Sequence, residues 1–131
     1  MELRRENICT HVTALKVFAN ILFVGEGNQV SLFNWKTKAL LKKIIVFRAS
    51  FIHGIKIGNA DKALLFGGKS FRVYTLCLSS SECLIEFTEE LYINDWIHDV
   101  CFLNAKDILE DQVAIISAHN NFTVWDIKEK K

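Results

Sequence analysis

Phe23-Val-Gly-Glu-Gly-Asn-Gln-Val-Ser-Leu-Phe33, Leu64-Leu-Phe-Gly-Gly-Lys-Ser-Phe-Arg-Val-Tyr74 and Ile115-Ile-Ser-Ala-His-Asn-Asn-Phe-Thr-Val-Trp125 are three versions of one pattern. Each begins as an apolar strand end, passes through a turn of small or polar residues, and closes as an alternating strand on an aromatic. The three align without a gap. The aromatic recurs at Phe33, Tyr74 and Trp125, 41 and then 51 residues apart. Glycine supplies the positive φ or close backbone approach that such turns need, and Gly25, Gly27, Gly67 and Gly68 all fall at the first two of them.

Working outward, each hairpin gains a strand on either side. Val12–Phe18, Ile21–Val24, Val30–Trp35 and Ala39–Phe47 read as the first unit. The second runs from Ile52–Ile57 through the Gly67-Gly68 hairpin to Cys83–Phe87. The third begins at Ile97–Phe102 and ends after Ile127. Four short strands per period of about forty residues predict an all-β chain, a partial β-propeller of the WD-repeat type. The four-stranded antiparallel blades are placed at about 12–47, 52–87 and 97–127, the last incomplete, in a ring that does not close. In the first unit Val30, Leu32 and Asn34 face one way and Ser31, Phe33 and Trp35 the other. Both sets are partly apolar, as for a blade between two neighbours. Asn104–Asp111 lengthens the third unit and reads as a surface excursion with one short turn.

Propellers take roughly four to eight blades, so two and a half to three imply further blades, from a longer chain or a second molecule. As an isolated monomer the chain is expected to be poorly soluble or only partly folded. A sharp, cooperative thermal transition of monodisperse monomer, followed by circular dichroism, would contradict this.

Composition narrows the function classes. Half of the 131 residues are apolar and 24% are charged, which fits a packed core. The net charge of +1 argues against strong non-specific nucleic-acid binding. The longest strongly apolar run, Ile44–Phe47, is far short of the roughly 20 residues a spanning helix needs. No membrane partner is expected, and the cytoplasm is the expected compartment. Cys9, Cys77, Cys83 and Cys101 show no C-x-x-C spacing and read as reduced, buried small hydrophobes rather than metal ligands.

Catalytic motifs are missing from the pattern. There is no phosphate loop, no Ser-His-Asp arrangement and no dinucleotide fingerprint, since Val30 stands where G-x-G-x-x-G needs its third glycine. No enzyme activity, no metal and no cofactor is expected. His53 and His98 occupy matching positions on two inner strands and read as structural. Trp125-Asp126 reads as a repeat signature, with tryptophan packing and aspartate at a turn. Lys36, Lys38, Lys42, Lys43 and Arg48 form the densest basic stretch. On a strand Lys36 and Lys38 would share a face, as would Lys42 and Arg48, either for a few phosphate contacts or, the favoured reading, as a lysine-guarded edge.

Leu22-Phe-Val-Gly-Glu-Gly-Asn28, Phe51-Ile-His-Gly-Ile55, Asn94-Asp-Trp-Ile-His-Asp99 and Ile116-Ser-Ala-His-Asn120 occur in an order and spacing that resembles the N-terminal end of the WD repeat-containing protein 6 family. Ala118 departs from that family's glycine. The positions that match its motifs are His53, Gly54, Asp95, Trp96, Asp99, His119 and Asn120. The resemblance implies a non-catalytic scaffold subunit for an FtsJ-like methyltransferase, which methylates the ribose 2′-hydroxyl of the wobble nucleotide of certain tRNAs. The tRNA would be met through that complex. The alternative is a general protein-interaction propeller, an adaptor or signalling scaffold with no tRNA role. Trp96 is a candidate either for core packing or for stacking on a partner.

Overall fold

A computed structural model describes residues 11–58, 62–76, 84–86, 88–103 and 112–127. These form twelve strands in three antiparallel sheets, each following chain order. The first holds β1 (Val12–Phe18), β2 (Ile21–Glu26), β3 (Gln29–Asn34) and β4 (Ala39–Ile45). The second holds β5 (Gly54–Ile57), β6 (Lys62–Gly67), β7 (Ser70–Leu76) and β8 (Leu84–Glu86). The third holds β10 (Ile97–Phe102), β11 (Gln112–Ser117) and β12 (Asn121–Asp126). A two-residue strand that the sequence did not announce, β9 (Leu91–Tyr92), pairs with the start of β7. The inner strand β5 lies beside both β1 and β10.

The period of two decides how the sheets stack. On β6, Ala63 and Leu65 enter one core with Phe23, Val30, Leu32, Phe47, Ile52 and Tyr74. Leu64 and Phe66, one step out of phase, enter a second core with Phe71, Val73, Ile97, Val100, Val113 and Ile115. The middle sheet is therefore apolar on both faces because it is covered on both. Burying one such side chain contributes about 1.5–3 kcal/mol, against about 1 kcal/mol net for a hydrogen bond. One side chain packed between sheets therefore outweighs one ladder hydrogen bond within them.

The outward faces differ. Leu15 and Val17 alternate with Ala14 and Phe18 on β1 and stay exposed on the face turned away from the second sheet. On the far face of the third sheet Ile116, Phe122 and Val124 are exposed. Cys101 pairs with Ala114 on that face and is exposed too, so it is not the buried hydrophobe expected; no layer covers it. Cys9, Cys77, Cys83 and the excursion at 104–111 lie outside the described residues.

The turns explain where the strands stop. Gly27 (φ 64°) and Gly68 (φ 58°) each open a two-residue turn, where a positive φ at the first position suits the right-handed twist of the flanking strands. The third hairpin corrects the gap-free alignment. Ser117 pairs with Asn121, leaving three turn residues, Ala118, His119 and Asn120. Two of them, His119 (φ 66°) and Asn120 (φ 59°), do the work of one glycine. The first outer strand ends at Ile45 rather than Phe47, because the Val46 and Phe47 N–H groups turn to the Asn28 carbonyl, at 2.9 and 3.2 Å.

The basic stretch does not line one strand. Lys36 sits 5.7 Å over the Trp35 ring, Lys38 occupies a left-handed turn position (φ 65°), and Arg48 lies beyond β4, its N–H donating to Glu90 Oε1 at 2.9 Å. The favoured edge reading of this stretch therefore holds at most for the lysines on β4.

Two glycines separate the costs of turn and contact. A Cβ on Gly27 would meet nothing within 4 Å, so Gly27→Ala carries only the left-handed penalty of about 1–2 kcal/mol. A Cβ on Gly67 would overlap the Phe51 carbonyl oxygen. Gly67→Ala is expected to lower the urea midpoint further than Gly27→Ala; equal midpoints would contradict this packing.

Candidate functional site

The hairpin turns and the segments joining the sheets gather at one rim. The Ile52 N–H donates to the Gly27 carbonyl at 2.7 Å, and the Ile97 N–H donates to the Gly68 carbonyl at 2.8 Å. These bonds make Phe51-Ile52-His53 and Trp96-Ile97-His98 equivalent triplets. In each the isoleucine is buried at the head of an inner strand. The residue before it is an exposed aromatic: Phe51 is 69% and Trp96 60% accessible. Trp96 therefore does not pack in the core. Both residues line a cleft of about 500 Å³ bounded also by Thr13, Ser50, His53 and Gly68.

The loop before β10 is locked to the third turn. His119 Nδ1 lies 2.7 Å from Asp95 Oδ2, and Asp95 Oδ1 accepts the Trp96 N–H at 2.8 Å. The Ala118 N–H donates to the Trp96 carbonyl at 2.8 Å. The adjacent Asp95 and Trp96 and the distant His119 thus form one hydrogen-bonded unit, and Asn120 completes the turn that carries it. A second hollow of about 370 Å³ lies beside it, lined by Tyr92, Asp95, Phe122 and Trp125 among others. Trp125 meets the Phe71 ring edge-on at 5.2 Å between centroids. Asp126 ends β12 opposite Gln112.

The remaining motif residues are placed elsewhere. Gly54 lets β5 approach the Phe66 ring, which a Cβ would meet at 2.5 Å. The His53 ring leans on that same Phe66, 5.9 Å between centroids. Asp99 follows a register shift of β10 at His98 and pairs with Lys56 Nζ at 3.1 Å, tying the inner strands of the second and third sheets. His98, beside it, is exposed. Among the described residues no group of three or more His, Cys, Asp or Glu is placed to hold a metal ion.

Sequence reasoning missed Phe51 and Arg72. Phe51 was legible as the partner of Trp96 once the two inner strands were aligned on Ile52 and Ile97. Arg72 had no signal, because its role is long-range. Its Nε donates to the Thr88 carbonyl at 2.8 Å and a terminal nitrogen to the Val46 carbonyl at 3.3 Å. It holds both connecting segments to the middle sheet.

No family model matches the chain, and no curated protein matches its sequence. Solved structures do resemble it. The Myceliophteria thermophila Cps50 (Swd1) β-propeller domain superposes with a TM-score of 0.74 at 14% identity, over 92% of this chain. The chain has the fold of a partial β-propeller. It spans 39% of that domain's length. A computationally designed protein, Ika4, matches with a TM-score of 0.64 at 16% identity, over 91% of this chain and 68% of its own. A chain of the Mitotic Checkpoint Complex matches with a TM-score of 0.66 at 15% identity, over 88% of this chain and 37% of its own. At such identities the likeness carries the fold alone. The three sheets are the blades of a β-propeller with an open ring, and β1, β5 and β10 are their inner strands.

The Asp95–His119 pair has a pH signature. The hydrogen bond to Asp95 raises the His119 pKa above its ordinary 6.5, and the bond to His119, with that from the Trp96 N–H, lowers Asp95 below its ordinary 3.8. The His119 contribution is complete below about pH 6.5 and is lost as pH rises through the raised value. The Asp95 contribution is complete above about pH 3.8 and is lost as pH falls through the lowered value. The latch is strongest between them. Asp95→Asn is expected to bring the His119 titration, followed by NMR, back toward 6.5; an unchanged midpoint would rule the pairing out.

Proposed function

We propose that this chain is part of a non-catalytic WD-repeat scaffold that assists an FtsJ-like methyltransferase in 2′-O-methylation of the tRNA wobble nucleotide, in the cytoplasm. The observation that carries the reading is the convergence of Asp95, the exposed Trp96, His119 and Asn120, all positions matching one family's motifs, at a single rim that also presents Phe51. The propeller fold supports a scaffold role. A methyl donor and its chemistry would come from the enzyme. The scaffold's task is orientation, holding a flexible anticodon loop so that one 2′-hydroxyl meets the reactive centre.

A general protein-interaction propeller is the second reading. What favours it is the cleft at the rim, whose lining among the described residues carries no Lys, Arg, Asp or Glu and suits a protein as well as a nucleic-acid complex.

Deletion of the gene is expected to abolish wobble 2′-O-methylation, read by mass spectrometry of purified tRNA, and affinity purification is expected to recover an FtsJ-like methyltransferase. Preserved methylation would overturn the reading. Recovery of ubiquitin-ligase or kinase subunits without the methyltransferase would establish the second.

A further inference from the structure

We propose that the cleft lined by Phe51 and Trp96 is an anchor pocket for an uncharged apolar side chain, aromatic or aliphatic, of a partner protein. This rests on the reading of the chain as a scaffold that binds proteins. It does not depend on which protein.

Three observations combine. First, the two exposed rings stand at the same register position of consecutive blades, one residue before a buried isoleucine whose N–H is held by the preceding turn. A single exposed aromatic is ordinary on a protein surface, whereas two that line one cleft form a patch. Second, their exposure owes nothing to an uncovered sheet. Phe51 stands at the junction of the first and second sheets and Trp96 at that of the second and third, where both neighbours are in place. Third, the cleft is chemically apolar. Its lining residues are Thr13, Ala49, Ser50, Ile52, His53 and Gly68 besides the two rings. The Thr13 hydroxyl donates to the Gly25 carbonyl at 3.3 Å, and the Ser50 hydroxyl meets that of Ser70 at 3.3 Å. Both hydroxyls are engaged inward.

The charge of the site selects the occupant. A stacked base of single-stranded RNA would also suit a cleft lined by two aromatics, but such sites run along cationic grooves that track the phosphates. Among the described residues that line it, none is Lys or Arg and none is Asp or Glu. An apolar side chain loses water here without leaving a charge unpaired. The volume, about 500 Å³, falls in the range of ligand pockets and suits one large side chain with its flanking backbone. The absent side chain of Gly68 keeps the floor open: a Cβ there would stand 3.1 Å from Ser50 Oγ and 3.7 Å from the Trp96 ring.

The test is ¹⁹F NMR on the full chain labelled with 5-fluorotryptophan, titrated with capped pentapeptides Gly-Gly-Xaa-Gly-Gly in which Xaa is Phe, Leu, Lys or Glu, and with oligouridylate. The Phe and Leu peptides are expected to shift the Trp96 resonance saturably and leave Trp35 in place, while Lys, Glu and RNA do not. Phe51→Ala is expected to weaken the Phe peptide about fivefold, the scale of one aromatic pair, and Phe51→Tyr to keep it. The Trp125 resonance, set by its packing on Phe71, reports that each variant remains folded. No shift with Phe or Leu, an equal shift with Lys or Glu, or a shift with RNA alone would overturn the proposal. The titration involves no methyltransferase, so its failure would leave the methylation test standing, and the reverse.

Discussion

Each two-residue turn offers two carbonyl groups, and the chain spends both on joining one sheet to the next. The Gly27 carbonyl takes the Ile52 N–H and the Asn28 carbonyl takes those of Val46 and Phe47. In the next sheet the Gly68 carbonyl takes the Ile97 N–H and the Lys69 carbonyl takes that of Ile93, at 2.9 Å. Backbone groups that would need water in an isolated hairpin are thereby satisfied by the connecting segment. The connector is held at two points, so the following inner strand starts in a fixed place. That fixes which face of each sheet meets its neighbour, because a slip of one residue would turn every apolar side chain the wrong way. The double core of the middle sheet follows from this joint.

The third turn shows what happens when the joint is built with other residues. A longer turn of Ala118, His119 and Asn120 replaces the glycine. Its His119 side chain reaches back to Asp95 in the connector before it. The result is an exposed, titratable contact at the same rim. The pair is screened by solvent and contributes little to overall stability. Its consequence is local: it orients the backbone that presents Trp96.

Much of the architecture was legible in the sequence because it rests on local signals. Alternation over Gln29–Asn34 and Ser70–Leu76, with glycine at the turns, announces hairpins, and their recurrence announces stacked sheets. What was not legible depends on contacts between segments distant in sequence. The gap-free alignment hid the extra turn residue because Ala-His-Asn resembles a two-residue turn until strand pairing is known. The basic stretch looked like one face because Lys38 was assumed extended, whereas it takes a left-handed turn. Gly54 carried a family match with no visible reason, and the reason is an aromatic ring, Phe66, brought against it by β6. At the site, Asp95, Trp96 and His119 could be singled out by motif, but their union is a tertiary fact. Phe51 gave no local sign of exposure, because it is turned outward by the long-range bond from the Ile52 N–H to the Gly27 carbonyl.

The same register logic separates two kinds of exposed apolar side chain. When the longer third turn is allowed for, Ile116, Phe122 and Val124 are the counterparts of Phe66, Phe71 and Val73, which are buried where a following sheet covers them. Their exposure therefore reflects a blade position that a further layer would cover, and it carries no information about a ligand. Phe51 and Trp96 behave differently. They are exposed at both junctions described, with neighbours present on each side, so adding a blade at either end would not cover them by the same packing. An apolar side chain that stays in water when its fold has every opportunity to bury it is held there by the backbone, here by the Ile52 and Ile97 N–H bonds that pin the next residue inward. The joint that stacks the sheets is thus also the device that displays the aromatics, and the rim inherits a repeated surface from the repeat itself.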